Sequence, residues 1–367
     1  MLLMLTLRKK VSVSQQKRII RVGTVYVLGL IALAAVGAGI WYLVSGRTSR
    51  APAPLAEFRL GYFANLSHAQ GVLGVASGEL AQAVAPATFT TKVFNAGPSL
   101  VEALFAGEID IGYVGPGPAL AAHARSKGQG IRVIAGAAAN GVLIVARKDS
   151  GIRTLADLKD RRIATPQHGN TQDIAARHYL AAELGQKGDG NVLPIPNAEQ
   201  SGMMDRGQID AAWAPEPWGS RLVAETGATI VAEEKDLWPG KQFALAIVVT
   251  TPEFLRDHPD VVAKVLGVHR AWTARLASDP KAHLPQLGTA LLALTGKKLP
   301  PGVLDSAITR VTFTDDPLEG TFKTMGQWTY DLGFEQQPAR LGTLFDLNVL
   351  KELQKSPPKQ EAVNVPR

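Results

Sequence analysis

Residues 94–120 read FNAGPSLVEALFAGEIDIGYVGPGPAL, and this stretch decides the fold. A strand ends at Phe94, and Gly97-Pro98-Ser99 turns the chain into a helix predicted to end near Ala106. A second strand over 109–113 then runs into Gly115-Pro116-Gly117-Pro118, which opens another helix. Gly and Pro suit a sharp turn at a strand's carboxyl end, and Ser or Pro suits the helix start that follows. The stretch is a strand–helix–strand–helix unit, the building block of an α/β fold with a parallel sheet.

The same pattern extends outward in both directions. Strands are predicted over 57–62, 88–94, 109–113, 131–137 and 142–147, then over 162–165, 211–214, 229–232 and 243–250. Helices fall between them, and the chain from 252 to about 332 is predicted to be helical. The pattern restarts after residue 147, and 243–250 looks like a strand returning to the first sheet. Two α/β units joined by two crossings, one inserted in the other, imply two lobes with a cleft between them. The expected layout is lobe one over 57–145 plus 244–335 and lobe two over 146–243, with a linker over 45–56 and a C-terminal extension over 336–367.

Ligands of open parallel sheets bind outside the carboxyl ends of the strands. Five loops are expected there, and they supply the candidate site residues. These are Ser67 and His68; Gly97, Pro98 and Ser99; Gly117 and Pro118; Asn170, Thr171 and Gln172; and Trp213, Glu216 and Trp218. Converging helix N-termini offer backbone N–H donors to a small anion. Ser99 and Thr171 are the side-chain donors expected from the two lobes. Trp213 and Trp218 wall an apolar tail or pack the lobes together. Glu216 faces a ligand amine, or ties down backbone or an arginine. The five loops contain no Arg or Lys, which favours a weakly hydrated monoanion over phosphate.

The formal charge of +7 is misleading, because residues 1–50 hold eight basic side chains and no acid. The remainder carries 31 basic against 32 acidic groups, so nucleic acid is not an expected partner. Residues 22–44 read VGTVYVLGLIALAAVGAGIWYLV, uncharged and long enough as a helix (roughly 34 Å) for a ~30 Å bilayer core. Basic residues over 1–21 place that end in the cytoplasm. A transmembrane anchor is expected, with a cleaved signal peptide as the alternative. The chain has no cysteine, which excludes disulfides and thiol nucleophiles. The histidines show no metal-ligand spacing, and no cofactor is expected.

Four phrases occur in one order: LGYFANLSHA (60–69), the stretch at 94–120, TLADLKDRRIATPQHGNTQD (154–173) and DRGQIDAAWAPEPW (205–218). A helix end followed by Gly-x-Ile-Asp occurs in each presumed lobe, as AGEID (106–110) and RGQID (206–210). In these phrases the chain resembles the solute-binding proteins of ABC importers for nitrate, sulfonate and taurine, with the aliphatic-sulfonate branch nearest. The resemblance covers about residues 57–335. It implies a two-lobed, periplasmic-binding-protein type II fold, here preceded by one N-terminal transmembrane helix. It also implies capture of a small organic anion by cleft closure, permease and ATPase partners, and a periplasmic or cell-surface location. A membrane-tethered sensor and an enzyme on the same fold are the alternatives. No Ser-His-Asp order, nucleophile elbow or phosphate loop supports the latter.

Overall fold

The structure, a computed structural model, describes residues 35–36, 55–186 and 191–355. Apart from 35–36, the expected membrane segment at 22–44 lies outside the described residues, as does the tail from 356. Among the described residues no helix is long and apolar enough to cross a membrane, so the spanning helix finds no support there.

Eleven strands are described: β1 (Glu57–Phe63), β2 (Thr88–Phe94), β3 (Ile111–Val114), β4 (Arg132–Asn140), β5 (Val142–Ala146), β6 (Ile163–Thr165), β7 (Val192–Pro194), β8 (Ala211–Pro215), β9 (Thr229–Glu233), β10 (Ala244–Thr250) and β11 (Val311–Phe313). They form a six-stranded sheet in the order β11-β4-β10-β3-β1-β2 and a five-stranded sheet in the order β7-β6-β8-β5-β9. This is a two-lobed α/β architecture. Both sheets are mixed, not parallel as expected. β10 runs antiparallel to β3 and β4, and β5 runs antiparallel to β8 and β9.

The cause lies in how the chain changes lobes. A helical crossover returns the chain to the start of the sheet and gives parallel strands. β4 instead continues through Gly141 directly into β5. It enters the second sheet at the edge where β8 ends, and so runs against β8. The return strand β10 enters the first sheet in the same way. The two crossings are tied together: the Asn140 N–H donates to the Phe243 carbonyl at 3.0 Å, and the Phe243 N–H donates to Asn140 Oδ1 at 3.3 Å. Gly141 has φ +76°, a conformation suited to glycine.

The repeated Gly-x-Ile-Asp phrase forms the same clasp twice. In the first lobe Asp110 accepts from the Arg59 backbone N–H at 2.7 Å and from its guanidinium at 2.6 and 3.1 Å. In the second, Asp210 accepts from the Arg162 N–H at 3.1 Å and from its guanidinium at 2.7 and 2.9 Å. Gly107 and Gly207, at φ +68° and +63°, end the preceding helices, and their carbonyls accept from the same arginines. The Arg162 hydrogen bonds hold the Asp210 carboxyl down at about 2. Each clasp pins the start of one strand to the start of its neighbour. Asp110→Asn and Asp210→Asn are each expected to lower Tm by about 3–8 °C, read by calorimetry. Neither residue lines the cavity described below, so solute affinity should stay within about threefold; a large affinity loss without a Tm change would count against a purely structural clasp.

The apolar core is continuous between the lobes. Phe63, Val114 and Leu245 of the first lobe belong to one buried cluster with Ile144, Ile174 and Trp213 of the second. A separate cluster fills the back of the first sheet, where Val262, Val265, Leu266 and Trp272 of the Pro259–Ser278 helix pack.

Candidate functional site

Three helix starts meet between the lobes. The Gly97–Phe105 helix follows β2, the Pro116–Arg125 helix follows β3, and the Thr171–Ala182 helix follows β6. The last is capped by Asn170, whose side-chain oxygen accepts from the Asp173 N–H at 2.8 Å. They border a cavity of about 300 Å³, counting its open mouth. Of the expected site residues, Ser67, His68, Gly97, Pro118, Asn170, Thr171 and Gln172 line it. Phe63, Asn65, Gly115, Pro215 and Leu245 complete the wall.

Among the described residues no Arg, Lys, Asp or Glu lines this cavity, and the donors on its wall are neutral. Asn170 Nδ2 donates to Gln172 Oε1 at 3.1 Å. This leaves Gln172 Nε2 buried, with two N–H groups and no partner among the described residues. His68 stacks on Phe63 with ring centroids 4.3 Å apart. Its Nδ1 accepts from the Phe63 N–H at 3.2 Å, so the neutral ring carries its proton on Nε2. Burial pushes its pKa down to about 3 and keeps it neutral. The one carboxylate in the first turn of the Thr171–Ala182 helix, Asp173, is fully buried. It accepts from the Thr165 hydroxyl at 2.9 Å, the Gly169 N–H at 2.9 Å and Arg177 Nε at 2.9 Å.

The other expected site residues are placed elsewhere. Ser99 and Gln167 share hydrogen bonds at 3.3–3.4 Å, joining the lobes beside the cavity. Pro98 occupies the first turn of its helix, where no backbone N–H is needed. The Gly117 N–H donates across the lobes to Thr171 Oγ1 at 3.3 Å. Trp213 is not a cavity wall. It lies within β8 on the face buried against the Tyr179 ring, and its Nε1 donates to Glu234 Oε2 at 2.7 Å. Trp238 Nε1 donates to the other oxygen of Glu234 at 3.0 Å, and burial raises that carboxyl to about 7. Trp218 does not line the cavity, and its Nε1 donates to Asn65 Oδ1, on the cavity wall, at 2.7 Å. Of the two roles open to Glu216, the structure has the tie. Its buried carboxylate accepts from the Ser220 N–H at 3.0 Å, the Ser220 hydroxyl at 2.8 Å and Arg310 at 3.3 Å.

Phe63, Asn65 and Leu245 were missed by sequence reasoning. Asn65 had a signal, since it sits one residue before the Leu66–His68 turn in a polar loop. Phe63 and Leu245 read only as strand residues, with nothing local to separate them from the core.

The profile of the NMT1-like family matches residues 51–289. The taurine-binding periplasmic protein of Escherichia coli is 28% identical over 180 residues, 48% of this chain and 53% of its own length. The alkanesulfonate-binding protein SsuA from Xanthomonas axonopodis pv. citri, bound to MOPS, is 25% identical. It aligns with a TM-score of 0.66 over 80% of this chain and 99% of its own. The periplasmic nitrate-binding protein NrtA from Synechocystis PCC 6803 shares the fold, with a TM-score of 0.68 at 14% identity over 82% of this chain and 89% of its own. In the alignments at 28–29% identity to binding proteins of Brucella and to the taurine-binding protein, the chain spans about half the length of those relatives. With its sequence matched over both crossings and both sheets, the chain belongs to the NMT1-like family.

Proposed function

We propose that this chain is the solute-binding component of an ABC importer and captures a small organic anion between its lobes, with an aliphatic sulfonate fitting better than taurine. The observation that carries the reading is Gln172 Nε2, a buried donor without a protein partner, at a cavity bordered by three helix starts. Helix N-termini and uncharged N–H groups stabilise an anion oxygen without needing a lysine or arginine. Among the described residues no carboxylate lies on the wall to pair with an ammonium group, which disfavours taurine. Phe63, Pro118, Pro215 and Leu245 offer an apolar surface for a short alkyl tail, in the place expected for Trp213 and Trp218. The sulfonate- and taurine-binding relatives support this class of solute. The lobe that carries the six-stranded sheet and the lobe that carries the five-stranded sheet, which begins with β5 at Val142, move about the crossings at Gly141 and Phe243 to close on it. The chain works outside the cytoplasm, presenting the solute to a permease driven by an ATPase, with residues 22–44 as its tether.

Titration calorimetry on the full chain tests this with hexanesulfonate, taurine, nitrate and a neutral alcohol of matched length. Hexanesulfonate should bind most tightly. A hydrogen bond to a charged group contributes roughly 1.5–3 kcal/mol. Gln172→Met should therefore weaken hexanesulfonate binding by about ten- to a hundredfold. Equal binding of the alcohol and the sulfonate would sink the anion reading, and an unchanged affinity in Gln172→Met would remove that side chain from it.

A further inference from the structure

The geometry points to residues 216–218 of the second lobe, braced by Arg310 of the first, as a positioning device for loop 65–68, which presents Ser67 and His68 to the cavity. This role deepens the proposed function and rests on the cavity being the solute site.

Leu66 opens a single helical turn, Leu66–His68, so its N–H has no acceptor inside that turn. The acceptor comes from the other lobe: the Leu66 N–H donates to the Glu216 carbonyl at 3.0 Å. One residue earlier, Asn65 Oδ1 accepts from the Trp218 indole at 2.7 Å. Within the first lobe the turn closes on itself, with the His68 N–H donating to the Asn65 carbonyl at 3.2 Å and the Phe63 N–H donating to His68 Nδ1. At its near end the Leu66 N–H and the Asn65 side chain are held by the second lobe.

Segment 216–218 is itself held firmly. The Glu216 N–H donates to the Gly141 carbonyl at 2.9 Å, which fixes it to the crossing between the sheets. Its carboxylate accepts from the N–H and hydroxyl of Ser220, in the first turn of the Trp218–Thr226 helix, and from Arg310 Nη1. Arg310 stands between the Val303–Ile308 helix and β11. It also donates to the Ser306 carbonyl at 2.8 Å and the Ser306 hydroxyl at 2.9 Å, and its Nε lies 3.7 Å from Glu233. The guanidinium thus joins first-lobe and second-lobe acceptors beside the crossing. Neither Glu216, Trp218 nor Arg310 lines the cavity. They act on the solute site through Asn65 and Leu66.

Hydrogen exchange read by mass spectrometry on the full chain, without solute, tests the role. Trp218→Phe keeps an aromatic ring and removes the indole N–H. Peptides containing Leu66 should exchange at least tenfold faster in this variant, while peptides covering β8 and β10 exchange as in the wild type. Arg310→Met should show the same local pattern, and if it does not fold, Trp218→Phe decides alone. Unchanged exchange at Leu66, or acceleration spread evenly over both lobes, would overturn the proposal, because a merely structural residue loosens the fold globally. Calorimetry with hexanesulfonate on the same samples separates the two readings. A wild-type chain that gives no binding heat defeats the proposed function, while the exchange result still decides the positioning role.

Discussion

Gly115→Ala is expected to remove tight solute capture while leaving the ligand-free chain folded. A Cβ at this position would sit 2.2 Å from Thr171 Oγ1 and 3.3 Å from Thr171 Cβ. Gly115 precedes a first-lobe helix, whereas Thr171 begins a second-lobe helix, so the collision arises only when the lobes approach. The backbone at Gly115, at φ −80° and ψ 161°, is ordinary for alanine and adds no strain within its own lobe. Overpacking of this kind costs typically about 1–3 kcal/mol, which corresponds to as much as a hundredfold in affinity. Calorimetry should show hexanesulfonate affinity falling by about thirty- to a hundredfold, with Tm within about 2 °C of the wild type. Small-angle scattering should show a larger radius of gyration. Adding Thr171→Ala removes the nearest colliding atom and should restore the compact form. Wild-type affinity in the single variant would mean that the lobes bind solute without approaching this closely.

Three buried groups, His68, His269 and Glu234, should together destabilise the fold in acid with a net uptake of about one proton. Burial pushes His68 down to about 3 and His269 down to about 4, whereas an unfolded histidine titrates near ~6.5. Below ~6.5 the unfolded chain takes up two protons that the folded chain refuses, and stability falls with pH. Glu234 opposes this. Its carboxyl is raised to about 7 by burial, against ~4.3 for an exposed glutamate. Between those values the folded chain holds the extra proton, so this contribution is complete below ~4.3 and lost as pH rises through about 7. From about pH 6.5 to 4.5 the sum is a loss of roughly 1.4 kcal/mol per pH unit on acidification. Urea unfolding at half-unit pH steps measures it. Glu234→Gln removes the opposing group, and the slope should steepen to roughly 2.7 kcal/mol per unit. A flat wild-type profile would show that the two histidines together refuse only one proton while folded, and a profile that rises on acidification would show that both take protons.

What the sequence revealed about the site depended on whether a residue's position was dictated locally. Asn170, Thr171 and Gln172 were legible because capping chemistry forces them to a helix start, and the structure puts all three on the cavity wall. The same held for Gly97 and Pro118. Trp213 was not legible. Neighbouring strand residues face opposite sides, and here Ala212 and Ala214 join one buried cluster while Trp213 joins another. With both faces of β8 buried, no polar residue marks which face a side chain takes. Glu216 and Arg310 are 94 positions apart, and no local pattern pairs them. At the level of the fold, the two α/β units were visible in the alternation of elements, but the first crossing was expected after 145 and the chain in fact crosses at Gly141, since β5 already belongs to the second sheet. β7 and β11, at three residues each, were too short to show a period. The antiparallel entry strands depend on which edge of a sheet the chain reaches from the other lobe, which is not a property of the strand's own residues.

The single residue between β4 and β5 has a thermodynamic consequence. A slack tether would have to be immobilised each time the two halves came together, and that lost freedom would be subtracted from affinity. Here the joint is Gly141 alone, and its companion strand is stitched to it through Asn140. If the lobes close as proposed, bending at this point would rotate one sheet against the other without freezing any length of loose chain. The contacts a solute makes with the two lobes would then appear almost undiminished as affinity, so a small cavity with only neutral donors could hold its solute tightly.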